Sequence, residues 1–352
     1  MLDISISIED LTADLVKINS VIGNEKEICD EIEKVFIQNG LEFERLGNSI
    51  IGRLNFKKER TIALVGHLDS VPQSRENQTQ PKIEGNKLTG LGACDMKCGI
   101  AAALKILHDV KSGAIQPKHN LLFVLYDGEE GPLPNGITRL LNADKFNNVD
   151  FAYILEPTSS KYSVGCLGSL MVKLVFQGIS AHSANPKEGI NALSEAAEII
   201  KKVEEIDRKI NKMQKIGGLP FYETINITQL TTENAANVIP QTANMTINYR
   251  FSPKKTAEEA EKFIRSFINK NLIYKIGVSN SCIIQPEKTQ GFLQDKIECE
   301  IMQAWTDIAQ LNAAGIPAIN FGAGDIKICH KPEEFVNIEE LKEFYQLLKT
   351  HV

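Results

Sequence analysis

Four short apolar runs constrain this chain more than any other feature: TIALV (61–65), LLFVLY (121–126), FAYIL (151–155) and PAINF (317–321). Each is continuous rather than alternating, the pattern of a strand buried on both faces, and such strands belong to parallel sheets covered by helices. Helical periodicity lies between them. Residues 24–39 carry Ile28, Ile32, Val35 and Phe36 on one face, with Asn24 placed as an N-cap and Gly40 as a stop. MKCGIAAALKILHDV (96–110) reads as an Ala- and Leu-rich helix between the first two strands. The alternation predicts an α/β fold with a mostly parallel sheet.

A different texture occupies the middle of the chain. TANMTINYRF (242–251) alternates strictly, with Met245, Ile247, Tyr249 and Phe251 on one face and Asn244, Thr246, Asn248 and Arg250 on the other. That is a sheet buried on one side only, so antiparallel pairing is expected, with helices near 190–206 and 256–269 on the inner face. At 352 residues the chain exceeds the usual single-core limit. We therefore expect one domain from residues 1–168 and 285–352, and an α+β domain, 169–284, inserted into it.

Ligands of open α/β sheets gather beyond the carboxyl ends of the strands. At that end, TIALV leads to His67 and Asp69, and LLFVLY to Glu129 and Glu130. FAYIL leads to Glu156, and PAINF leads through GAGDIKIC to His330. Asp95 precedes the Ala-rich helix and falls on the same rim if the sheet is wound as supposed. One such residue would be an ordinary surface side chain, whereas four strands converging on histidines and carboxylates describe a metal site.

Two imidazoles with several carboxylates and no thiolate suit zinc, manganese or cobalt. Five ligands are too many for one catalytic zinc, which keeps about three protein ligands and an open position. Two ions about 3.5–4 Å apart, bridged by one carboxylate, accommodate them. Asp69 is spaced to accept the second imidazole N–H of His67 and fix its tautomer. One of Glu129 and Glu130 can bind metal while its neighbour takes a proton from the attacking water.

Composition removes other classes. A net charge of −6 with scattered Lys and Arg argues against nucleic acid or an anionic membrane surface as partner. No apolar run approaches the about 20 residues that cross a bilayer. The acidic start MLDISISIEDLTADL lacks a secretory pattern, and seven cysteines, an odd number, point to reduced thiols in a cytoplasm. Cys94 and Cys98 have no second pair at metal-site spacing and read as packing residues. His108, His119 and His351 match no motif. No glycine-rich phosphate loop opens a helix.

GHLDSVP, GLGACDMKCGIAAAL, YDGEEG, LEPTSS and the late His330 resemble, in order and over nearly the whole chain, the metal-site motifs of the M20 family of dinuclear zinc amidohydrolases. The resemblance implies a zinc-peptidase-like catalytic domain with an inserted dimerisation or lid domain. It implies that His67 and Glu156 hold one ion and Glu130 and His330 the other. Asp95 would then bridge them, with Glu129 as general base, Asp69 as orienting residue and a cis peptide after Asp95. GISAHSANPKEGINA (178–192) is similar to the family's lid motif, which implies a homodimer in which His182 stabilises an oxyanion in the partner's site. Asn237, Arg250 and Thr306 match positions that contact substrate. Within the family, EPTSSKYSVGCLGS and VIPQTANMTINYRFSP resemble the branch that hydrolyses N-succinyl-LL-2,6-diaminopimelate to succinate and LL-2,6-diaminopimelate. Leu167 departs from it, standing where other members of that branch have an arginine. The alternatives are another N-acyl amino acid deacylase, acetylornithine deacetylase-like, a dipeptidase or carboxypeptidase, or more distantly a non-catalytic metal-binding relative.

Overall fold

The computed structural model describes residues 2–269 and 272–352, which divide into two units. The first comprises Met1–Val164, Ile284–Cys299 and Gln310–Val352. Its sheet runs, from one edge, Glu42–Leu46, Ser49–Leu54, Asn120–Tyr126, Thr61–His67, Phe151–Ile154, Ala318–Asn320 and then Tyr162–Cys166. The four strands from Asn120–Tyr126 to Ala318–Asn320 are mutually parallel, while the flanking pairings are antiparallel. The sheet is therefore mixed, with the four apolar runs as its parallel centre. Their continuous hydrophobicity is explained by burial on both faces: Ile62 through Val65 and Leu121 through Tyr126 are essentially without solvent contact.

Helices Ile8–Lys17, Lys26–Gln38, Cys98–Lys111 and Ile338–Lys349 belong to this unit. The 26–38 helix buries Ile28, Ile32, Val35 and Phe36, as its periodicity requires. It ends at Gly40, whose φ of 59° suits a residue without a Cβ. Its cap differs from expectation: Glu25, not Asn24, takes the N-cap position, and its side chain caps no backbone N–H. The Glu25 carboxylate instead accepts from the Gly23 N–H at 2.6 Å, inside the preceding turn. The Ala-rich helix starts at Cys98 rather than Met96, because Asp95 and Met96 have non-helical backbone angles. A Cβ at Gly99 would lie 2.5 Å from the Leu155 carbonyl oxygen, so glycine allows this helix to seat against the end of the 151–154 strand.

The second unit comprises Gly165–Ile283 and Glu300–Ala309. Its antiparallel sheet has the order Thr224–Thr231, Thr242–Phe251, Gly168–Gln177, Ile273–Ser279. The alternation read from the sequence sorts the faces. Leu170, Val172, Leu174, Phe176, Met245, Ile247, Tyr249 and Phe251 form one core with helices Ala192–Ile210 and Ala257–Arg265, while Met171 and Asn244 point outward. The shorter helix begins with a capping box between Thr256 and Glu259. No described helix is long and apolar enough to cross a membrane.

Candidate metal centre

Strand register brings the first candidate ligands together. His67 is level with Tyr126, and Val65 with Ile154, on parallel neighbours. Glu156, two residues beyond Ile154, therefore reaches the rim in phase with His67, because side chains repeat every second residue. The 128–130 turn and the loop leading to His330 leave parallel strands at the same edge of the sheet. His330 adopts φ 63°, a left-handed turn that histidine tolerates better than most side chains.

Asp95 lies between two imidazoles and offers each a different oxygen. Its Oδ1 is 3.0 Å from His67 Nε2 and its Oδ2 is 3.1 Å from His330 Nε2. Around this carboxylate the remaining groups form two sets. Glu156 Oε1 lies 3.9 Å from His67 Nε2, and Glu130 Oε1 lies 2.8 Å from His330 Nε2. His67, Asp95 and Glu130 offer ligand atoms within 4.8 Å of one another. Bonds of about 2.0–2.2 Å to zinc in a tetrahedron put neighbouring ligand atoms about 3.3–3.6 Å apart, so the carboxylate–imidazole spacings around Asp95 are close to those of groups that share a cation. His67 and Glu156 are buried, whereas the His330 side chain is about half exposed, at 49%. One end of the cluster is thus open to an approaching molecule.

The charges favour a cation at the centre. Hydrogen bonds to Asp95 and Glu130 push the His330 imidazolium up to about 11, against the opposing effect of burial. Burial alone would lower His67, yet the Asp69 and Asp95 carboxylates hold it well above its ordinary value. Burial alone would raise Asp95, but the two imidazoles keep its carboxyl far below the usual range. Carboxylates that stabilise positive charge on both imidazoles this strongly would equally stabilise a divalent ion, which would take the place of the imidazole protons on binding.

Further hydrogen bonds fix these candidate ligands. His67 Nδ1 lies 3.0 Å from the Asp69 backbone carbonyl and 3.6 Å from Asp69 Oδ1, so the carbonyl is the nearer orienting acceptor. The Asp69 carboxylate is engaged elsewhere, with Oδ1 accepting from the Glu129 N–H at 3.1 Å and Oδ2 from the Glu130 N–H at 2.8 Å. This clamps the turn that presents the two glutamates. Burial would raise Asp69, but His67 and these two amides hold it below its ordinary value. The Asp95–Met96 peptide is cis. Cys94 and Cys98 are fully buried, and the Cys98 thiol donates to the Cys94 carbonyl, in keeping with packing roles.

Two charged residues escaped the sequence reading. Glu334 is buried, and its Oε1 accepts from the backbone N–H of Cys94 at 2.9 Å and of Asp95 at 3.0 Å. It holds the Asp95 turn against the segment that carries His330. Burial pushes its carboxyl up to about 7. Lys97 is equally buried, donates to the Ile18 carbonyl at 2.7 Å and is driven down to about 7 by desolvation. In KPEEF nothing distinguishes Glu334 from its exposed neighbour Glu333; only the folded chain does.

His182, Asn237, Arg250 and Thr306 belong to the second unit. His182 is exposed and pairs across a two-residue ladder with Val238, next to Asn237, whose carbonyl accepts from the Ser183 N–H at 2.9 Å. His182 Nδ1 accepts from the Ala184 N–H at 3.1 Å, so the neutral ring carries its proton on Nε2. Arg250 is half-buried, opposite Ser169 and Thr224. Thr306 is buried, and its carbonyl receives the Cys166 thiol at 3.8 Å. Leu167 packs against Phe221 and Ile301 in an apolar cluster, which accounts for a neutral side chain at that position.

Residues 164–274 match the family model of the peptidase dimerisation domain, and residues 49–169 that of peptidase family M28. Over 358 residues the chain is 31% identical to a succinyl-diaminopimelate desuccinylase of Corynebacterium glutamicum, an alignment covering 97% of this chain and 95% of that protein. An M20 family metallo-carboxypeptidase from Sulfolobus solfataricus superimposes with a TM-score of 0.74 at 15% identity, covering 98% of this chain and 99% of the other. The YXEP protein of Bacillus subtilis, described as a dinuclear metal binding peptidase from the M20 family, gives 0.64 at 15% identity over 97% and 95%. At such identities the two structures establish a shared fold.

Proposed function

The chain belongs to the M20 peptidase family, and from that premise we propose that it hydrolyses N-succinyl-LL-2,6-diaminopimelate to succinate and LL-2,6-diaminopimelate at a two-metal centre. The observation that carries the metal assignment is the position of Asp95, each of whose oxygens faces a different imidazole. In this reading His67 and Glu156 would hold one ion and Glu130 and His330 the other, with Asp95 available to both. Zinc suits the donors best, with cobalt or manganese as substitutes. Bound there, the ions would supply Lewis acidity and make water easier to deprotonate at neutral pH.

The chain's own groups do the rest. The Glu129 carboxylate takes the proton of the attacking water and returns it to the leaving nitrogen. Asp69 keeps Glu129 in place through the amide clamp and, with its carbonyl, keeps His67 Nε2 aimed at the centre. His182, protonated on Nε2, donates to the oxyanion of the partner subunit's site, which requires a twofold homodimer formed through the inserted 169–284 domain. The match to the peptidase dimerisation domain supports that arrangement. Arg250 offers a planar, bidentate partner for a substrate carboxylate, and Asn237 and Thr306 offer neutral hydrogen bonds. An odd number of cysteines, seven, supports a cytoplasmic location.

The test is a steady-state assay of zinc-loaded protein on N-succinyl-LL-2,6-diaminopimelate, with N-acetylornithine and dipeptides alongside. Preference for the succinylated substrate supports the reading and assigns carboxylate recognition to residues other than Leu167. The second reading, another N-acyl amino acid deacylase or a peptidase on the same metals, is favoured by the burial of Leu167 in an apolar cluster; preference for one of the other substrates would establish it. No turnover with two ions bound would sink both and leave a non-catalytic metal-binding relative.

A further inference from the structure

Cys166 and Cys282 stand directly opposite each other on the antiparallel strands Tyr162–Cys166 and Cys282–Ile283, with Sγ atoms 3.7 Å apart. Opposed residues of antiparallel strands keep their Cα atoms about 4.5–5.5 Å apart, inside the window of about 4.4–6.8 Å that a disulfide spans. Closing the remaining gap asks for side-chain rotation and a small approach of the strands, not a rearranged backbone. The position of the pair is also particular. The chain leaves the first unit after Val164 and returns to it at Ile284, so each thiol sits within two residues of one crossing.

Accessibility divides the roles. Cys282 is half-buried and Cys166 fully buried, so an external reagent meets Cys282 first. Cys29, Cys94, Cys98 and Cys329 are buried, and Cys299 is exposed. Burial alone would raise the Cys166 thiol, but its contacts with Cys282 and Thr306 pull it below its ordinary value, which favours the attacking thiolate.

We propose that Cys166 and Cys282 form a dithiol–disulfide site that reacts with low-molecular-weight disulfides, and that its closure ties together the two strands by which the chain enters and leaves the inserted unit. The Cys282 thiolate attacks one sulfur of the reagent disulfide, forming a mixed disulfide and releasing one thiolate. The Cys166 thiolate then attacks the Cys282 sulfur, forming the internal bond and releasing the second. Two cysteine thiols are oxidised by two electrons, one disulfide is reduced to two thiols, and the two protons pass to the departing thiolates. The inference does not depend on the hydrolytic reading, because the bond itself is what is measured.

Reduced full-length protein carrying Cys299→Ser is incubated with oxidised glutathione, alkylated, and mapped by peptide mass spectrometry without reduction. The expected result is a crosslinked peptide pair holding Cys166 and Cys282, with the loss of two hydrogens, reversed by dithiothreitol. Adding Cys282→Ser should abolish the crosslink, whereas adding Cys166→Ser should leave Cys282 as a lasting glutathione adduct. The oxidised form should also melt at a higher Tm, since the bond joins positions 116 residues apart. Both cysteines recovered as thiols, a stable glutathione adduct on Cys282 while Cys166 is intact, or a crosslink between another pair would each overturn the proposal.

Discussion

The backbone N–H of Asp95 donates to the Glu334 carboxylate at 3.0 Å, so the residue that faces both imidazoles is aimed from the loop that carries one of them. Removing that acceptor with Glu334→Ala leaves the buried amides of Cys94 and Asp95 without it, at a cost of about 1–3 kcal/mol each. The Asp95 turn then loosens while every proposed ligand remains. Metal affinity should fall about 10- to 100-fold, as for other groups that orient ligands. Glu334→Gln keeps an oxygen acceptor and should lose less. Competition with a chelator measures the affinity, and an unchanged value in folded Glu334→Ala would remove Glu334 from this role.

Asp69 holds the amides of both Glu129 and Glu130, which fixes the turn that presents the proposed base and the proposed ligand. Glu129→Gln preserves the turn and the proposed ligands while removing the proton acceptor. Turnover should drop by about 10²- to 10⁴-fold with two ions still bound. Near-normal turnover in the metal-loaded variant would take Glu129 out of the base role.

The candidate centre was legible where the placement of its side chains follows strand register. His67 and Glu156 end parallel strands, and a residue's phase along a strand is a local property that the apolar runs reveal. Asp95 was legible from its place just before an Ala-rich helix, on the rim where the strands end. Glu334 was not, since its burial depends on a contact 239 residues away in sequence. The same limit applies to Asp69: spacing placed its carboxylate beside His67, yet the carbonyl came nearer because the carboxylate was drawn to two amides 60 and 61 residues further on. In the fold, alternation identified the inner face of the inserted sheet. The antiparallel flanks of the central sheet went unread because Glu42–Leu46 and Ser49–Leu54 form a hairpin whose partner is set by tertiary packing.

Glu223 gives the inserted unit a pH dependence of its own. Its buried carboxylate accepts from Tyr249 Oη, Ser252 N and Oγ, and Lys255 Nζ, at 2.6–3.1 Å. Burial would raise this group, but Lys255 and Ser252 hold it below its ordinary value. A carboxylate with a depressed folded pKa contributes stability that is complete above its unfolded value, about 4.3, and is lost as pH falls through the folded value. Urea unfolding between pH 3 and 6 should therefore show a stability loss on the acid side. Glu223→Gln should flatten that slope and cost on the order of 3 kcal/mol at neutral pH, since Lys255 loses its partner. An unchanged acid slope in the variant would assign the loss to other carboxylates.

His182 provides the sharpest test of assembly. Its ring accepts a backbone proton on Nδ1, which leaves Nε2–H as the donor, and its exposure places that donor on the surface of the inserted unit. If it completes the partner's site, His182→Ala should reduce kcat by about 10²- to 10³-fold, the usual loss for one oxyanion donor, while metal content stays the same. Asp95→Ala should be inactive for the opposite reason, through the loss of the proposed bridge. In a heterodimer of the two variants, the subunit that keeps Asp95 faces a partner that keeps His182, so one site is whole and the other lacks both groups. Random reassortment in a twofold dimer makes about half the dimers mixed, so activity should return to about a quarter of wild type. The check is to mix the inactive proteins, verify exchange by differential tags and measure turnover. Verified heterodimers without activity would place His182 outside the partner's site.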